Sequence, residues 1–264
     1  MTDTSVQPAA VTPSMSQMQR VISTFTAPSK TFTDVKNGHK NWLLAFLIVL
    51  VTGSALWSTI TSGKTAVTWK TIFEEQQAKM PEFAKRMQEN AIAAQPPEQQ
   101  AATRQKMETA GPRQQQITWS LAPGGLVLIN LVCALVLWPT INFGFGGKAK
   151  FGSIFTVWMY AMLPSCIKTI LGIVVLYAGT APESFNIKNF APTNLGAFLN
   201  PIDTNPGLYS LATSIDFITI WSLVLVGIGT ALVAGVKRGS GYIASFGWWA
   251  LLVIIGAGIA VAFG

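Results

Sequence analysis

Charge is scarce in this chain: only 11% of its 264 residues are Asp, Glu, Lys or Arg, against about a quarter in water-soluble domains. That shortage excludes an ordinary solvated globule. Histidine is scarcer still. His39 is the only one and precedes the first apolar run, so no Ser–His dyad, two-histidine zinc centre or pair of axial haem ligands can be assembled within a membrane bundle. The two cysteines, Cys133 and Cys166, both fall inside apolar runs, where free thiols act as small apolar groups, and without four ligands there is no case for a structural zinc site. Acids inside apolar runs are reduced to Asp216, whereas aspartic catalysis needs two carboxylates sharing a proton. These shortages point to a non-enzymatic chain with no cofactor and no metal.

What the chain has in abundance is apolar length. Five runs, at 42–60, 117–138, 151–177, 215–236 and 242–263, come close to or exceed the roughly 20 residues that cross about 30 Å of hydrocarbon at 1.5 Å per residue. Trp42, Trp57, Trp119, Trp138, Tyr177, Tyr242 and Trp248 lie near the ends of these runs, where amphipathic rings favour the water–lipid boundary. Pro123, Pro139 and Pro164 lie in or beside them, so kinks are expected there. The expected fold is all-α: a polytopic membrane protein with five transmembrane helices.

Residues 1–26 read as an N-terminal tail. Its first part, rich in Ser, Thr, Pro and Gln, is predicted to be disordered. Met15, Met18, Val21, Ile22 and Phe25 then recur at helical spacing, which predicts a short amphipathic helix on the membrane surface or a plain linker. No cleavable signal peptide is evident, and the first run should be the first anchor. Residues 27–264 form the membrane domain.

Its one long connection, 64–116, carries Trp69, Ile72, Phe73, Met80, Phe83, Ala84, Met87 and Ala91 on one helical face, followed by a helix-favouring stretch from Pro97 to Ala110. Two or three helices capping the outer face are expected, parted near Pro81 and at Pro96–Pro97.

The net charge of +7 sits largely beside the apolar runs, so its partner is the anionic lipid surface and not nucleic acid. Lys30, Lys36 and Lys40 precede the first run, Lys148 and Lys150 join the second to the third, and Lys237 and Arg238 join the fourth to the fifth. The connection 179–214 has only Lys188 against Glu183 and Asp203. The positive-inside rule then places the N-terminus in the cytoplasm and the C-terminus outside a cell membrane crossed five times. Gly144, Gly146, Gly147 and Lys148 lack the spacing of a nucleotide-binding loop and read as a flexible turn with lipid-facing lysines.

Small residues recur every fourth position, as Gly227, Ala231 and Gly235 in the fourth run and Gly256, Ala260 and Gly264 in the fifth. Such stripes let backbones approach, either between spans four and five or at a homodimer seam. Lys168 and Asp216 are charges inside apolar runs, each costing at least about 2.5 kcal/mol if left alone in hydrocarbon. They are expected to pair in the outer half of the bundle. A snorkelling lysine stem would close most of a depth difference of roughly 10 Å.

The segment Ala27-Pro28 with Thr31-Phe32-Thr33-Asp34-Val35, the stretch from Phe151 to Pro164, the Asp216-Phe217 pair followed by Ile220-Trp221 and Gly229, and Val236-Lys237-Arg238-Gly239 together resemble the bacterial branch of the Yip1 family. The resemblance extends from about Phe25 onward and rests on order and spacing. It implies a five-helix polytopic fold with a cytoplasmic N-terminus. The eukaryotic relatives are associated with small GTPases and membrane traffic, but their Asp-Leu-Tyr-Gly-Pro type of signature is absent here.

Two functions remain open on the sequence. One is a non-enzymatic membrane protein organising lipid or partner proteins, with a homo-oligomer or other membrane proteins as partners. The other is a small transporter, channel or lipid-moving protein that uses Lys168 and Asp216, with Asn130 and the kinking prolines beside them.

Overall fold

A computed structural model describes residues 14–78, 80, 82–186, 189–200 and 203–263. Gly264, Pro81, Lys188 and the expected tail over 1–13 lie outside the described residues. Among those residues the secondary structure is helical, without strands: α1 (Gln17–Thr26), α2 (Pro28–Lys36), α3 (Leu43–Thr61), α4 (Trp69–Ala78), α5 (Glu82–Ala93), α6 (Pro97–Ser120), α7 (Ala122–Pro139), α8 (Phe151–Ala161), α9 (Ser165–Tyr177), α10 (Pro206–Ser214), α11 (Phe217–Ala234) and α12 (Arg238–Phe263).

Five segments are long and apolar enough to cross a membrane: Leu43–Thr61, Val127–Gly144, Phe151–Tyr177, Phe217–Ala234 and Arg238–Ala262. The protein is therefore a multi-pass membrane protein. The fourth is central, with 61% of its residues buried against 17–44% in the others. Surfaces so apolar and so little covered by protein are those a bilayer would cover.

Two spans depart from the simple runs. The second reaches Gly144 through a π-helical turn, Thr140–Gly144, after Pro139. The third is broken between Ala161 and Ser165, where Pro164 cannot continue the hydrogen-bond ladder. The break lets α8 pack against α7 and α11 while α9 turns towards α3.

The N-terminal helices belong to the bundle and do not lie apart from it. A capping box starts α1, with the Gln19 N–H donating to Ser16 Oγ at 3.1 Å and the Ser16 N–H donating to Gln19 Oε1 at 2.8 Å. Phe32 and Val35 of α2 are fully buried and join Ile154, Val157, Tyr160, Leu225 and Val226 in the main core. Only one side of α1, with Met18 and Ile22, stays exposed. At the opposite end a second core gathers Leu56, Ile60, Val67, Trp69, Ile72, Leu176 and Phe185. There α4 rests on α6, and α5 also packs against α6.

Candidate functional site

Asp216 is a charged residue at the entrance to the most apolar helix, and its position is set by capping. Its backbone is extended at φ −113°, ψ 125°, and its Oδ1 accepts the Thr219 N–H at 2.8 Å, which satisfies one of the orphan donors in the first turn of α11. An isolated antiparallel bridge to Asn194, with the Phe217 N–H donating to the Thr193 carbonyl at 2.9 Å, ties the loop that carries Thr193 and Asn194 to the same point. The carboxylate is thereby held at 2% exposure.

Its second oxygen is filled from two other elements. Lys168 of α9 donates from Nζ to Asp216 Oδ2 at 2.9 Å, and Thr193 donates from Oγ1 to the same oxygen at 2.5 Å. The ammonium also lies 5.6 Å from the centroid of the Phe190 ring, close enough for cation–π attraction. Phe190 in turn fits against Gly172, where a Cβ would collide with the ring. A cavity of about 460 Å³ opens beside this assembly, lined in part by Phe185, Asn189, Phe190 and Tyr209. Two helix starts and one loop are thus joined at a single charge pair.

A second buried ionic cluster lies at the other end of the bundle and is not evident in the sequence. Arg20 and Asp34, 5% and 7% exposed, meet with Nε 2.9 Å from Oδ2. His39 Nδ1 lies 2.9 Å from Asp34 Oδ1, and the Met15 N–H donates to that oxygen at 3.3 Å. Arg20 Nη1 donates to the Asn41 carbonyl at 3.1 Å and to the His39 carbonyl at 3.3 Å, while the Tyr160 hydroxyl donates to the Asn41 carbonyl at 2.9 Å. The cluster therefore clasps α1 and α2 onto α8 and the start of α3. One signal was available: Asp34 is the only acid between Asp3 and Glu74.

The basic residues gather around that same end. Trp138 Nε1 and Asn142 Nδ2 both donate to the Ala149 carbonyl, at 2.8 Å and 2.9 Å, and the Lys148 N–H donates to the Ala234 carbonyl at 3.0 Å. These bonds bring the Lys148–Lys150 turn beside the exposed Lys237 and Arg238, and Arg238 donates to Ser29 Oγ at 3.3 Å. Along segments 14–42, 139–151 and 234–242 the only acid is the buried Asp34. The face is one-signed.

The small residues divide by role. Beside Gly227 a Cβ would strike Tyr242, and at Gly241 it would run into the Gly227 carbonyl and Ala231, so Gly227 and Ala231 seat the start of α12 against α11. Gly235 differs from the expected packing stripe: at φ +72° it is the left-handed cap that ends α11, and open space surrounds it. Gly256 also meets nothing within 4 Å, and Ala260 is half-buried. On α12 the close approach near that level is instead made by Val261 and Ala257, against Gly207 of α10. Gly241 falls outside the four-residue repeat, which is why spacing alone misses it.

Among the described residues no cluster of three or more His, Cys, Asp or Glu is placed to hold a metal. Residues 22–260 match the family model described as the Yip1 domain. No curated protein and no solved structure matches the chain.

Proposed function

This chain belongs to the Yip1 domain family, matched over residues 22–260, and on that premise we propose that it is a non-enzymatic membrane protein that organises lipid, and with it partner proteins, through its basic end. The observation that carries the reading is the one-signed face: Lys148, Lys150, Lys237 and Arg238 are exposed together, with exposed Lys30 and Lys36 on the neighbouring α2 and no exposed acid on those segments. Each such cation near an anionic leaflet contributes about 1 kcal/mol of attraction. Phe143, 81% exposed at the foot of the second span, and Met18 and Ile22 on α1 add apolar contact at the same level. In a cell membrane this end is the cytoplasmic one, which leaves the C-terminus outside.

The transport reading draws on Lys168 and Asp216, but the carboxylate is occupied by Lys168, Thr193 and the Thr219 N–H. A group that caps a helix and anchors a loop is poorly suited to bind and release cargo. A flux assay in proteoliposomes with wild type, Asp216→Asn and Lys168→Met tests this directly. We expect no protein-dependent flux of ions or small solutes. Flux that is present in wild type and lost in both variants would overturn the reading.

A further inference from the structure

We propose that α10, together with the 3₁₀ turn Leu195–Phe198 that packs on it, is embedded among the acyl chains of the leaflet opposite the basic face and does not stand in water. The sequence permits this: between Ala191 and Ile215 the only charge is Asp203. Leu208 and Leu211, with Ile215 just past the helix end, recur at spacings of three and four and are all exposed, so they form one apolar stripe. Phe198, 84% exposed, adds a ring from the neighbouring turn.

The bridge between Asn194 and Asp216 fixes which way the adjoining side chains point. Side chains alternate across an extended pair: Asn194 and Asp216 are buried, whereas their neighbours Leu195, Ile215 and Phe217 are exposed. The Leu195 N–H donates to the Ile215 carbonyl at 3.2 Å, which holds these two residues side by side. Phe217 is also the first residue of the fourth span. The stripe is therefore continuous with a surface that crosses the membrane, and apolar area this contiguous is rare where a protein faces water.

Depth points to the same occupant. From Arg238 at the basic end, α12 runs to Phe263 without another charge. About 20 residues cross the hydrocarbon, so a count from the first turn of α12 puts the far edge between roughly Ile259 and Ala262. Gly207 of α10 sits where a Cβ would strike Val261 and approach the Ala257 carbonyl. The helix therefore begins at the edge of the hydrocarbon and ends beside Asp216, at the start of a span. Its polar residues gather at the other side of that edge: Asn200, Asp203 and Asn205 are exposed, and Asn205 Oδ1 accepts the Gly207 and Leu208 N–H groups at 3.0 Å and 3.2 Å. An apolar body among chains with a polar tip among headgroups is the pattern of an interfacial helix.

The test places nitroxide labels on the full chain in liposomes, through Phe198→Cys, Leu208→Cys and Leu211→Cys in a Cys133→Ala/Cys166→Ala background. All three side chains are exposed, so the labels should leave the fold intact. Leu252→Cys, exposed within α12, and Gln99→Cys, exposed on α6, are the hydrocarbon and water references. Power-saturation spectroscopy compares dissolved oxygen, which partitions into hydrocarbon, with a water-soluble nickel chelate, which hydrocarbon excludes. Oxygen should reach the three labels as it reaches Leu252→Cys, and nickel access should be several-fold lower than at Gln99→Cys. Nickel access equal to that at Gln99→Cys would put the element in water and overturn the proposal. Exclusion of both reagents would overturn it too, because protein, a second copy of the chain included, would then cover the face. No basic residue is altered, so either result leaves the basic face to be judged separately.

Discussion

Lys168 and Asp216, 48 positions apart in the chain, are joined at 2.9 Å, and the acid partner is also the N-cap of the central helix. Replacing Asp216 by Asn keeps an acceptor for the Thr219 N–H but strands the ammonium. We expect Asp216→Asn to cost about 3 kcal/mol, the low end for a broken buried pair because Lys168 retains 20% exposure. The double variant Lys168→Met/Asp216→Asn should cost less than the sum of the singles by about 1–2 kcal/mol. Unfolding in detergent measures both; strict additivity would mean that the pair does not act as a unit.

Arg20→Met should loosen α1 and α2 selectively. The change leaves Asp34 buried with His39 as its remaining side-chain partner, and opening of that segment should become easier by roughly 3 kcal/mol. Hydrogen exchange over 17–36 would then accelerate by about a hundredfold, while α4 and α6 at the other end stay unchanged. Uniform acceleration along the chain would show that the cluster supports the whole fold and not a local clasp.

Gly241→Leu should separate α12 from α11, because even a Cβ there meets the Gly227 carbonyl and Ala231. Overpacking of this kind costs about 1–3 kcal/mol. Gly258→Leu on the same helix meets open space and is the control. Equal melting temperatures for the two variants would remove the packing role assigned to Gly241.

Single cysteines report orientation. With Cys133 and Cys166 replaced by alanine, a cysteine at Gln99 in α6 should react with an impermeant thiol reagent in intact cells, and one at Gly239 should not. Labelling at Gly239 alone would invert the topology.

The spans are legible in the sequence because apolar length is a local property, and Lys168 and Asp216 stand out because charge within such runs is expensive. What the sequence conceals is tertiary. Arg20 lies in a segment that reads as surface-facing, yet it is buried by contacts with residues as distant as Tyr160. Gly241 is hidden because the close approach depends on where α12 begins, not on a repeat. Gly235 fits a repeat but serves a different end, since a left-handed cap and a packing surface both favour glycine.

The basic end is the centre of the account, and the lipid it gathers can be weighed directly. The full chain is extracted from mixed bilayers into polymer-bounded nanodiscs, and the anionic fraction of the lipid retained is compared with that of the bulk. Wild type should be enriched in anionic lipid. The variant carrying Gln at Lys148, Lys150, Lys237 and Arg238 should lose that enrichment, each charge contributing about fivefold at low salt. Identical lipid composition around wild type and this variant would contradict the proposal that this face organises lipid.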